Sequence, residues 1–119
     1  MRSLKSLFFI AGGILAVLSA AFSYQQTAPN QPGASDQRAM LDKYCVTCHN
    51  SRLKTGGLAL DAMDFANVPA GGEVWEKVIR KVRGNQMPPA GMPRPDPAAA
   101  SQFVASLETA LDRDAAAAG

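Results

Sequence analysis

The chain has 119 residues, with 12 Lys and Arg against 10 Asp and Glu, two Cys and one His. A net charge of +2 is too small to hold a polyanion by bulk attraction, so no nucleic-acid partner is expected. Two Cys and one His cannot supply the four ligands of a structural zinc site within one chain.

The first elements in chain order are targeting and linking segments. Arg2 and Lys5 precede an uncharged apolar run from Leu7 to Leu18, and the small residues Ser19, Ala20, Ala21 and Ser23 follow, the layout of a secretory signal over residues 1–23. The alternative is an uncleaved anchor, because Ser6 to Phe22 carries no charge and lies near the lower length limit for crossing a bilayer. A periplasmic or otherwise exported location is expected, with membrane attachment only if this segment is retained. Its removal takes Arg2 and Lys5 away and leaves basic and acidic residues balanced. Residues 24–34, rich in Pro and Gln, read as a flexible linker, residues 35–113 as one domain and residues 114–119 as a disordered Ala-rich tail. Roughly 80 residues form a small domain with a modest core, one that an apolar cofactor would complete.

Ser35 is placed as a helix N-cap, followed by Asp36 and Gln37, and a helix is expected from about Asp36 to His49. Met40, Leu41, Tyr44, Cys45 and Cys48 recur at helical spacing. The run Cys45-Val46-Thr47-Cys48-His49 ends this face and carries the strongest chemical signal in the chain. A C-x-x-C-H run attaches haem through two thioethers and offers the iron an axial imidazole. On a helical turn both sulfurs and the ring share one side. A thioredoxin-like C-x-x-C requires a βαβ context that this sequence lacks. A plain disulfide would leave the adjoining histidine unexplained.

Gly56-Gly57 predicts a sharp turn or a close backbone approach, and Asp61 a cap for a short helical turn reaching Phe65 or Asn67. Val74, Trp75, Val78, Ile79 and Val82 predict a helix from about Gly72 that stops at Gly84, with Trp75 in the core. Residues 85–97 hold five prolines and form a stiff loop. Asp96 caps and Pro97 opens a last helix with Phe103, Val104, Leu107 and Leu111 on its inner face. No strand pattern is visible, so the fold class is all-α, three to four helices packed around one covalent haem.

With no second histidine, a bis-histidine iron is excluded within the chain. Met40 shares a helix with His49 and cannot reach the far side of a macrocycle, and Met63 lacks a rigid neighbour. Met87, followed by Pro88-Pro89, is the preferred distal ligand, and Met92, followed by Pro93, is the alternative. If both methionines merely pack, the iron stays open to small gases.

These features together resemble a class I c-type cytochrome. The runs YCVTCHNSRLKTGGLALD and WEKVIRKVRGNQMPPAGMPRPD resemble the planctomycete-type cytochrome c domain of large bacterial proteins, over about Leu41 to Leu111. The resemblance implies a small class I cytochrome c-like fold, haem c, and His49 with Met87 as the axial pair. The other domains of the large members are not represented here, and their activities do not carry over.

Lys77, Arg80, Lys81, Arg83 and Arg94 lie in a stretch without an acidic residue, and Arg52 and Lys54 follow the haem motif. As a set they suit a positive rim that steers acidic redox partners; singly each reads as a solvated charge. No nucleophile and base, carboxylate pair or phosphate-cradling loop appears, so no catalytic residue is assigned and the chain is not expected to be an enzyme. The expected function is single-electron transfer between redox partners through one haem c held by Cys45 and Cys48. The alternatives are an electron-accepting subunit of a periplasmic dehydrogenase complex and a haem-based gas or redox sensor.

Overall fold

The structure is a computed structural model that describes residues 32–119; the expected signal at 1–23 and residues 24–31 of the expected linker lie outside the described residues. Three α-helices, α1 (Ala34–Tyr44), α2 (Gly72–Arg83) and α3 (Pro97–Ala118), are linked through 3-10 turns at Thr55–Gly57, Leu60–Ala62 and Val68–Gly71. No strand occurs among the described residues, and the architecture is all-α as the apolar periodicity predicts. No helix among them is long and apolar enough to cross a membrane.

The two later helices follow their sequence signals closely. In α2, Trp75, Val78 and Ile79 are buried while Val74 and Val82 pack at the edge of the same face. In α3, Asp96 Oδ1 accepts from the amides of Ala98 (2.8 Å) and Ala99 (3.2 Å), and Pro97 occupies the first turn where its missing N–H costs nothing. Phe103, Val104 and Leu107 face inward against α2 and the Val68–Gly71 turn. Phe65 joins this core, its ring centroid 4.9 Å from that of Trp75 and 6.2 Å from that of Phe103.

Four local expectations are corrected. The first helix begins at Ala34 with Gly33 as N-cap, and Asp36 reaches back to the Gly33 amide (3.3 Å), so Ser35 lies inside the helix rather than capping it. It ends at Tyr44 rather than His49, because the backbone leaves helical geometry at Cys45 (φ −121°) and residues 45–50 form successive turns. The β-branched Val46 and Thr47 and the backbone-competing Asn50 all disfavour continuing the helix there. Asp61 caps no helix: it lies within the short turn Leu60–Ala62, no helix runs on through Phe65 or Asn67, and the next turn begins at Val68. At the other end α3 continues to Ala118 through the segment read as a disordered tail, in keeping with the high helix propensity of four successive alanines.

Candidate haem-attachment site

Leu41 anchors the site from below: it is fully buried, and its carbonyl accepts from the amides of both Cys45 (2.9 Å) and Val46 (3.1 Å) as α1 ends. The next turn closes through the Cys45 carbonyl, which accepts from Cys48 (3.2 Å) and His49 (2.9 Å). One helical turn therefore survives where it matters, and it carries Cys45, Cys48 and His49 together. Cys45 is half-buried against the apolar core and Cys48 is exposed. Removal from water pushes the Cys45 thiol up to about 11, because its anion has nothing to solvate it.

The loop after the motif orients the imidazole. Lys54 (φ 47°), Gly56 (φ 65°) and Gly57 (φ 76°) take left-handed backbone, which reverses the chain and brings the Thr55 peptide back over the motif. The Thr55 amide donates to the Cys48 carbonyl (3.3 Å), and the Thr55 carbonyl lies 2.7 Å from His49 Nδ1. A carbonyl oxygen only accepts, so Nδ1 carries the proton and the lone pair is left on Nε2. The Leu60 amide in turn donates to the His49 carbonyl (2.8 Å).

Three further side chains hold this turn, and sequence reading assigned none of them a role in the site. Asn50 donates from Nδ2 to the carbonyls of Val46 (2.8 Å) and Thr47 (3.3 Å), while its Oδ1 accepts from the amides of Arg52 (3.0 Å) and Leu53 (2.9 Å). Asp61 Oδ1 accepts from the Ser51 amide (2.9 Å) and hydroxyl (3.0 Å), and the amide above all holds its carboxyl below the usual range. Arg38 on α1 donates to the carbonyls of Asp61 (3.2 Å) and Met63 (3.1 Å), tying helix to loop. Asn directly after the histidine was the available signal, since its side chain suits turns that replace backbone pairing.

The four methionines within the described residues divide into two pairs. Met40 and Met63 pack against the core, the Met63 methyl lying so close to Gly71 that a Cβ there would stand 2.3 Å from it. Met87 and Met92 are exposed, at 36% and 46%. Met87 is set by α2: the Lys81 carbonyl accepts from the amides of Gln86 (2.9 Å) and Met87 (3.2 Å), and Asn85 supplies the left-handed residue (φ 55°) that ends the helix. Gly84 precedes it with an ordinary φ of −75°, so the helix stop expected at Gly84 is completed by Asn85. Met92 instead closes a surface turn on the Pro89 carbonyl (3.1 Å). The recorded hydrogen bonds attach Met87 to α2 and the attachment turn to α1 and the 54–61 loop.

The residues present fit a covalent haem. Two thiols and an imidazole with a free Nε2 share one turn, and the Nε1–H of Trp75 is enclosed without an acceptor, an unfilled polar valence in the core. Among the described residues no three His, Cys, Asp or Glu side chains gather as a metal-binding group. Of the cations read as a rim, Arg83 pairs with Glu108 (2.7 Å), Arg80 with Glu76 (3.4 Å), and Lys81 with Gln86 (2.8 Å).

Residues 45–91 match the family described as Planctomycete cytochrome C, the family that the sequence motifs resemble. The match to a cytochrome c family suggests a haem-binding, electron-transfer role for these residues and implies haem c as the cofactor. No curated protein and no solved structure matches the chain.

Proposed function

We propose, from the premise of a planctomycete-type cytochrome c domain at residues 45–91, that the chain is an exported monohaem electron carrier whose iron is held by His49 and Met87. The observation that carries this reading is the Thr55 carbonyl on His49 Nδ1, which presents Nε2 as a ligand beside two thiols on the same turn. When bound, haem c supplies reversible one-electron chemistry at iron. The chain's own residues do the rest. Cys45 and Cys48 tether the macrocycle, and the Nδ1 hydrogen bond orients His49 and increases its donor strength. Met87, exposed on a proline-stiffened loop, is available as a thioether ligand, which favours the reduced iron relative to a second nitrogen ligand.

Lys77, Arg80, Lys81, Arg83 and Arg94 are proposed as a docking rim for acidic redox partners. The ion pairs of Arg80 with Glu76 and of Arg83 with Glu108 join exposed arginines to an exposed and a half-buried glutamate and are weak enough to exchange for a partner's carboxylates. Electron exchange with such a partner then slows as salt rises through the physiological range.

The test is the absorption spectrum of protein matured by a haem-attachment system. His/Met ligation gives a weak band at the red end of the visible spectrum in the oxidised state and no shift with CO when reduced, because the thioether fills the iron's distal position. Met87→Ala abolishes that band and admits CO. A colourless product, or a pigment extracted by acidified acetone, refutes covalent haem.

A further inference from the structure

Outside the attachment turn, the most ordered polar arrangement near a proposed ligand is at the base of the loop that carries Met87. Arg94 reaches back across nine residues to Asn85, its Nη1 donating to Asn85 Oδ1 and its Nη2 to the Asn85 backbone carbonyl (3.2 Å). Both bonds fall on one residue, and that residue is the left-handed hinge where α2 turns into the loop. A planar guanidinium offers paired donors in a fixed geometry, so it grips a side-chain oxygen and a carbonyl as one unit.

The clasp closes the chain from Asn85 to Arg94 into a ring containing Met87, Pro88 and the Pro89–Met92 turn. Two other features support the ring from inside. The Lys81 carbonyl holds the amides of Gln86 and Met87, and Pro88 is buried in the wall of a groove of about 620 Å³ shared with Asn85, Arg94, Val82 and Val104. Gly91, with φ 86°, allows the turn to reverse. Among the described residues, Arg94 alone donates to Asn85 from the far end of the loop. Arg94 lies three residues beyond the segment matched to the family.

Resting on the reading that Met87 is the distal ligand, we infer that Arg94 is a positioning residue: by clasping Asn85 it holds the Met87 loop closed over the iron and keeps competing ligands out. It touches neither sulfur nor iron; it acts by limiting the fraction of molecules in which the loop has swung away. Free imidazole binds only that open fraction, and its apparent affinity reports it directly.

The experiment titrates the oxidised, haem-loaded protein with free imidazole for wild type, Arg94→Ala, Arg94→Lys, Met87→Ala and Arg113→Ala. Arg113→Ala removes an equal charge from exposed α3 and controls for bulk electrostatics. Arg94→Ala is expected to bind imidazole about fivefold more tightly, the effect of losing one exposed charge-assisted pair of bonds, with Arg94→Lys in between and Arg113→Ala unchanged. Thermal melts of the same proteins separate loop opening from general destabilisation: the clasp predicts a raised imidazole affinity in Arg94→Ala at temperatures where all variants are fully folded. If Arg94→Ala matches wild type while Met87→Ala binds far more tightly, the clasp is refuted and Met87 ligation stands. If Met87→Ala itself binds imidazole as wild type does, Met87 is not the ligand and the inference fails with it.

Discussion

Replacing Asn50 with alanine removes four hydrogen bonds that brace the proposed haem-attachment turn: two donated to Val46 and Thr47 and two accepted from Arg52 and Leu53. All four involve backbone groups, and most are exposed enough for water to take the vacated places. Each is then worth about 0.5 kcal/mol, the low end for a net hydrogen bond, and the set about 2 kcal/mol. For a domain of this size that is a fall in melting temperature of about 10 °C. The assay is thermal unfolding of the haem-loaded protein by far-ultraviolet circular dichroism, with Asn50→Asp beside Asn50→Ala. The aspartate keeps both accepted bonds but sets a carboxylate against the carbonyls of Val46 and Thr47. It should therefore be at least as destabilising as alanine at neutral pH and should recover on acidification, when the carboxyl regains a proton to donate. A melting temperature for Asn50→Ala within about 2 °C of wild type would refute the bracing role.

Four other outcomes follow from the same geometry. In folded protein matured without haem, Cys45, pushed from 9.0 to about 11, carries about 100-fold less thiolate than an ordinary thiol at pH 8, so a mass-spectrometric time course should show iodoacetamide reaching Cys48 well before Cys45. Since a thiol pKa raised by folding adds stability below its unfolded value and loses it as pH rises through the folded one, the same protein should weaken between pH 9 and 11 in urea titrations, and Cys45→Ala should abolish that slope. Gly57→Ala meets no atom within 4 Å, so its whole cost is the left-handed φ of 76°; chemical denaturation should show a loss of about 1 kcal/mol. Asp61, whose carboxyl is held low chiefly by the Ser51 amide, contributes stability that is complete above the ordinary carboxylate range and lost as pH falls through its lowered value; Asp61→Asn should flatten the acid side of the stability profile.

Local chemistry was enough to read much of this protein from its sequence. The run of Cys45, Cys48 and His49 carries the proposal of haem, and the apolar spacing of α2 and α3 names their buried faces, because both signals lie within a few residues of chain. Asp96 and Pro97 mark a helix start through interactions confined to one turn. What only the tertiary structure decided depends on pairs distant in sequence. Ser51 meets Asp61, Arg38 meets Met63, and Arg94 closes on Asn85, none of them at a spacing that a helical or strand period brings together. The end of α1 at Tyr44 is local by contrast: Val46, Thr47 and Asn50 disfavour further helix, and the turn that replaces it is held by Asn50 and Thr55, both close in sequence. Periodicity records which side chains avoid water, whereas the partner that satisfies a given carbonyl or imidazole nitrogen is set by where the whole chain has been carried.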